Sequence, residues 1–334
     1  MQGKQSQTMT LKNTPSIRAF ASVVGKKEGE GPFGKYFDAV EQDSYLGEKT
    51  WEKAEGLLQH KTVEKALGKG NLQPTDIDCI FGGDLLNQCI GSSFGIRDFG
   101  IPFYGLYGAC STMAESLSLA SVFVDGGYAT RAIAVTSSHF CSSERQFRFP
   151  LEYGNQRPPT AQWTVTGSGA VIVEAGGNAP HITHVTTGKI IDFGVTDANN
   201  MGAAMAPAFA DTVAAHFRDT GRTPMDYDKI FSGDLGFVGS ALAKDLLLEQ
   251  GFDITMQHMD CGCMMFDQNT QDTHAGGSGC GCSASILAGF ILPSLLQKMY
   301  NRVLFVSTGA LLSATSAMQG SSIPGIAHAV VIEA

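Results

Sequence analysis

Two stretches of the chain carry apolar residues at helical spacing, and each runs into a short strand-like segment. In WEKAEGLLQHKTVEKAL the apolar positions are Trp51, Ala54, Leu58, Val63, Ala66 and Leu67; in PAFADTVAAHF they are Phe209, Val213 and Phe217. Both stretches lead into the same pattern: a proline, acidic residues, a short apolar strand, then Gly-Asp-Leu entering a loop. At an offset of 150 residues, PTDIDCIFGGDL (74–85) and PMDYDKIFSGDL (224–235) agree at eight of twelve positions. Such agreement marks an internal duplication.

The correspondence continues downstream. After the first copy come a small-residue turn holding Cys110, a nearly all-apolar helical run to Val124 and the strand RAIAVTSSH. After the second come GGSGCGCSAS, an apolar run from Ala284 and the strand RVLFVSTGA. TVTGSGAVIVE and AHAVVIEA then close the two parts. Strands alternating with helices imply parallel sheets. A helix apolar on every side must be buried, so the two runs after the small-residue turns are expected to form the middle layer of an α/β/α/β/α sandwich. The expected division is a loose extension at 1–14, a first half at 15–178 and a second at 179–334.

Composition narrows the class. The 334 residues are 43% hydrophobic, enough for a large core, and a formal charge of -9 argues against nucleic acid or simple electrostatic docking on anionic lipid. The longest apolar run, Ala284 to Leu296, is broken by Pro293 and is shorter than the roughly 18 to 20 residues of a membrane span. The opening MQGKQSQTMTLKN lacks an apolar signal core. A soluble protein with eight reduced cysteines, reaching any membrane through a partner, is therefore expected. No P-loop and no proper G-x-G-x-x-G context occurs, which disfavours nucleotide binding.

With GACSTMAES opening the first buried helix, TVTGSGAVIVE as a glycine-rich strand and GGSGCGCSAS as a loop of the second half, the chain resembles the thiolase-like family of thiolases and ketoacyl synthases from about residue 15 onward. The resemblance implies a duplicated α/β/α/β/α sandwich whose halves each carry a mixed, mainly parallel sheet, a homodimer, and a nucleophilic cysteine at Cys110. A narrower resemblance rests on DGGYATRAIAVTSSHFCSSERQFRFPLEYG, NNMGAAMAPAFADTV, AGGSGCGCSAS and NRVLFVSTGALLS. These are similar to a sporulation branch of the family in spore-forming Firmicutes. That branch implies a role in moving dipicolinic acid, with calcium, into the developing spore, alongside companion sporulation proteins in a channel complex at the spore inner membrane.

A condensing enzyme of this family attacks with the cysteine thiolate and uses a His or Asn pair from the second half for the proton and the oxyanion. At a helix N-terminus the Cys110 thiol is expected to be partly ionised, its pKa lowered from about 8.5 to about 7 to 8. The second-half partners are missing: FSGDLG supplies Ser232, Gly233 and Asp234, and GGSGCGCS supplies Ser278 or Cys280. None of these replaces an imidazole base at neutral pH. The reading is a binding protein on a catalytic scaffold, with an acyltransferase using Cys110, or a structural subunit with a vestigial pocket, as the alternatives.

Candidate ligand contacts are Cys110, His139, Arg145, Asp234, Ser278 and Cys280, with Arg148 as a further cation. His139 ends a strand, where α/β sheets place ligand groups, and arginine grips a carboxylate with two hydrogen bonds. The competing reading pairs the arginines with Glu144 and Glu152 on a subunit interface. The Cys261/Cys263 and Cys280/Cys282 pairs near His258 and His274 lack the spacing of structural zinc sites, and neither metal nor cofactor is expected. Asp84 and Asp234 are equivalent in the repeat; a structural role such as capping a loop or helix is expected for Asp84, whereas Asp234 falls in the family's catalytic segment. Gly167 and Gly169 are expected to serve turn geometry, and the methionines of NNMGAAMAP to pack in a core or dimer interface.

Overall fold

The computed structural model describes residues 6–147, 157–178 and 180–334. Ten strands form one continuous path: β1 (Ser16–Gly25), β2 (Cys79–Gly83), β3 (Phe103–Gly105), β4 (Arg131–Ser138), β5 (Gly167–Glu174), β6 (His181–Thr186), β7 (Lys229–Ser232), β8 (His258–Asp260), β9 (Arg302–Ala310) and β10 (Gly325–Glu333). Their order is β8-β7-β9-β10-β6-β1-β5-β4-β2-β3, and two short strands, Thr8–Thr10 and Ala39–Glu41, pair with β6 and β1. The path joins two sets of five strands through the single pair Ser16↔His181. In each set the repeat strand lies parallel to its neighbours, β2 between β3 and β4 and β7 between β8 and β9, while the closing hairpin-like pairs β4–β5 and β9–β10 are antiparallel. The sheet is mixed, with the same order in both sets.

The longer helices, of seven residues or more, are α1 (Trp51–Gly70), α2 (Ile90–Ile96), α3 (Thr112–Asp125), α4 (Phe140–Phe147), α5 (Met201–Thr220), α6 (Gly236–Glu249) and α7 (Cys280–Ile286). Thr50 caps α1 by accepting from the Lys53 amide, and Asn200 caps α5 by accepting from Ala203. α1 packs on β1 and β5, and α5 on β9 and β10, as outer layers. α3 contacts strands of both sets and touches α7, whose seven residues are all buried. These two helices form the middle layer, as their all-round apolar pattern requires.

Gly169 corrects the turn reading. It lies within β5, and a Cβ there would stand 2.2 Å from the Ala284 carbonyl, so the glycine exists to let the strand meet α7. Gly167 does the same against Ser285. Among the described residues no helix is long and apolar enough to cross a membrane.

Candidate functional site

Cys110 is delivered to the start of α3 by a turn that closes on itself. Ala109 takes a left-handed φ of 51°, uncommon for a residue with a Cβ. The Ser111 hydroxyl donates to the Gly108 carbonyl at 2.7 Å, and the Thr112 hydroxyl to the Ala109 carbonyl at 2.6 Å. From the other side, β9 brings Gly309 so close that a Cβ would lie 2.2 Å from the Gly108 carbonyl and 3.2 Å from the Cys110 nitrogen. Only glycine fits there.

The second-half loop is pinned to the end of β4. The Thr136 hydroxyl donates to the Cys280 carbonyl at 2.9 Å, the Cys280 thiol donates to the Ser137 carbonyl at 3.0 Å, and the Gly281 amide donates to the Ser138 hydroxyl at 3.1 Å. Gly277–Ser278 forms a two-residue parallel ladder with Trp163–Thr164. Cys280 thus sits behind Cys110 in one small apolar cluster with Leu85 and Ala109.

Burial overrides the helix terminus at Cys110. The thiol is 5% exposed, and desolvation, with the Asp234 charge as a second cause, pushes its pKa well above the ordinary value despite the Gly279 amide and its own amide nearby. The expected partial ionisation at neutral pH is therefore corrected: the thiol is held protonated, because the helix N-terminus offsets only part of the desolvation penalty. Cys280 and Cys282 are raised in the same way.

The cleft over Cys110 is narrow, about 40 Å³, room for a few waters. Ser278 lines it, as do Tyr107, Ser143, Glu144 and Thr164, four residues that the sequence did not single out as ligand contacts. Ser143 is 1% exposed and its hydroxyl has no hydrogen-bond partner among the described residues, so a buried polar group lines the cleft without a described partner. Glu144 accepts from the Thr164 hydroxyl at 2.9 Å. The signal was present in SSHFCSSERQF: on a helix, Ser143 and Phe147 are four apart and share a face. Met201 also lines the cleft, whereas Met205 is in the core.

His139 and Arg145 lie outside this cleft. His139 is fully buried, its Nε2 bonded to the Ser44 carbonyl at 2.8 Å and its Nδ1 accepting from the Cys141 amide, and burial lowers its pKa. It faces a separate cavity of about 580 Å³ beyond α4, lined also by Lys27, Glu28, Trp163 and Asp272. Arg145 pairs with Glu52 of α1 and covers the Trp51 ring at 5.3 Å, not Glu144. Arg148 and Glu152 fall outside the described residues.

The two repeat aspartates differ: Asp84 holds the loop and helix start that follow it, and Asp234 does not. Asp84 accepts from the Leu86 and Ser92 amides at 2.8 and 2.7 Å and from the Ser92 hydroxyl at 2.6 Å. Asp234 is fully buried, neither carboxyl oxygen has a hydrogen-bond partner among the described residues, and burial raises its pKa well above the usual range. In the second half Asp260 holds the turn, accepting from the Leu235, Gly236 and Cys263 amides and the Ser232 hydroxyl. His258 is engaged with Ser232, and His274 with Asp272.

The family model for stage V sporulation protein AD matches residues 5–333 of the chain. This chain belongs to the stage V sporulation protein AD family. It is 46% identical over 327 residues to the stage V sporulation protein AD of Bacillus subtilis (strain 168), covering 98% of this chain and 96% of that one. Among solved structures, the fold is that of 3-oxoacyl-[acyl-carrier-protein] synthase III from Aquifex aeolicus VF5, at 11% identity and a TM-score of 0.60 over 96% of this chain and 100% of that one. It is also that of a single-residue variant of Xanthomonas campestris OleA, at 14% identity and a TM-score of 0.60 over 97% of this chain and 100% of that one. This member of the family therefore has the fold of these synthases, with Cys110 buried at the start of α3.

Proposed function

We propose that this protein is a non-catalytic thiolase-like receptor that binds dipicolinic acid, free or as its calcium chelate, in the cleft over Cys110. In this reading it takes part in uptake of the acid into the developing spore, as a homodimer working with the other stage V sporulation A proteins in a channel complex at the spore inner membrane. The supporting observation is the state of Cys110: its thiol is buried and protonated, and the titratable group that most affects it is Asp234, a buried carboxyl rather than an imidazole. An acyl transferase needs the thiolate and a base beside it. A receptor needs only a shaped cleft and a few polar groups, which Ser143, Glu144, Thr164 and Ser278 supply. A pyridine dicarboxylate is larger than the cleft, so binding widens it, and the half-exposed Tyr107 at the rim is the side chain placed to yield.

Calorimetric titration with dipicolinate, with and without calcium, tests the proposal. Saturable binding that weakens in Ser143→Ala supports it, and a flat titration overturns it. Incubation with an acyl-CoA followed by intact mass tests the acyltransferase alternative, which predicts an adduct on Cys110.

A further inference from the structure

The cavity of about 580 Å³ that His139 faces shares no lining residue with the Cys110 cleft, and the receptor reading leaves it unused. One wall separates the two. In the short strand Trp163–Thr164 successive side chains point to opposite sides, so Trp163 lines the cavity and Thr164 the cleft. On α4, Phe140 and Cys141 line the cavity, Ser143 and Glu144 the cleft. The volume is that of a small-molecule site.

Two cations converge at this wall. Lys27, in the turn after β1, is half-buried, and its Nζ lies 3.6 Å from the centre of the Trp163 ring, which stacks on Phe140 at 3.8 Å. The Arg157 guanidinium lies over the same ring at 4.6 Å. Burial lowers the Lys27 pKa, and the Arg157 charge is the second cause. Arg157 donates to the Asp272 carbonyl at 2.8 Å and faces its carboxylate at 3.4 Å. The Lys27 ammonium, which can donate three hydrogen bonds, has no acceptor and no ion pair among the described residues.

The acids of the cavity are engaged elsewhere. Glu28 accepts from the Thr166 amide at 2.9 Å, and burial pushes its pKa up to about 7. Glu30 faces Lys26 at 3.9 Å, and Asp43 accepts from the Tyr45 and Gly47 amides at 3.0 and 2.9 Å. Asp272 faces His274 as well as Arg157. Among the described residues, Lys27 is thus the charged side chain of this cavity left without a polar partner.

We propose that this cavity is a binding site for a small organic carboxylate, whose oxygens take up the donors of Lys27 beside Arg157. A carboxylate there turns the repulsion between two cations into charge-assisted hydrogen bonds. A phosphate dianion is disfavoured, because Glu28, Glu30, Asp43 and Asp272 repel its second charge as well as its first. The inference goes beyond the receptor reading and does not rest on it.

Trp163 reports on the site. The chain has two tryptophans, so Trp51→Phe leaves Trp163 alone. In that background its fluorescence is titrated with sodium butyrate at constant ionic strength, and separately with inorganic phosphate. The expected result is a saturable change with butyrate that weakens about tenfold or more in Lys27→Gln, is retained in Lys27→Arg and is much weaker for phosphate. In the unsubstituted protein, butyrate is expected to slow reductive methylation of Lys27, read by peptide mass, which frees the test from the Trp51 substitution. A response that does not saturate, equal affinity in Lys27→Gln, phosphate binding as tight as butyrate, or a Lys27 that butyrate does not protect overturns the proposal. Since the cavity and the cleft share no lining residue, this outcome and the dipicolinate titration stand or fall separately.

Discussion

Asp84 and Asp234 occupy the same place in the two copies of the repeat, yet Asp84 has hydrogen bonds to both carboxyl oxygens and Asp234 has none to either among the described residues. Duplication supplied one aspartate per half; only the first serves its turn. Asp234, released from that duty to Asp260, is left as an unpaired buried acid that acts electrostatically on Cys110.

The two positions should therefore respond in opposite ways to the same substitution. Asp84→Asn removes a charged acceptor from three donors and should cost about 2 kcal/mol. Asp234→Asn removes only an ionisation that the interior resists. Because the Asp234 pKa is raised on folding, its contribution to stability is complete below the unfolded value of 3.8 and is lost as pH rises through the folded value. Thermal unfolding should show Asp234→Asn gaining on the wild type as pH is raised from 5.5 to 8.5, and an equal difference at both pH values would refute the assignment.

Gly309→Ala tests the close approach that fixes the cysteine turn. The added methyl would meet the Gly108 carbonyl, backbone that cannot rotate away, so a destabilisation of about 3 kcal/mol is expected, the upper end of overpacking costs. Chemical denaturation measures it. A variant as stable as the wild type would mean that β9 and the turn are not held together as described.

Cys110→Ala should leave the fold intact, with a loss of about 1 kcal/mol or less, because the thiol fills little space and Ala suits the turn. In the wild type, modification of Cys110 should be slow at pH 7.5 and rise only in strongly alkaline solution, as a buried protonated thiol requires. Rapid alkylation of the Cys110 peptide at neutral pH would contradict this.

Acid should unfold the protein through its buried imidazoles. His216 is bonded at both nitrogens, to Thr186 at 2.8 Å and Tyr227 at 2.5 Å, and burial lowers its pKa from 6.5 to about 3. His258 is also lowered to about 3, and His328 to about 4. Each depressed value contributes stability that is complete above the unfolded value of 6.5 and is lost as pH falls toward the folded one. The melting temperature should fall between pH 6 and pH 4, and His216→Gln should flatten part of that slope; an unchanged slope would remove His216 from the account.

The sequence by itself determined the duplicated α/β plan, the two buried central helices and the family, because periodicity, the eight-position repeat match and small-residue turns are local patterns that survive without coordinates. It also placed Cys110 at a helix start, with Ser278 or Cys280 of the second-half loop as candidate neighbours. What tertiary structure alone decided was which groups reach the cleft and in what charge state. Ser143 and Glu144 face it while Arg145, next on the same helix, turns to Glu52, since a helix presents successive residues to different neighbours, and His139, just before that helix, turns to Ser44. The ionisation of Cys110 reversed for a related reason: a helix N-terminus is visible in a sequence, whereas the desolvation that outweighs it comes from residues distant along the chain that pack around the thiol.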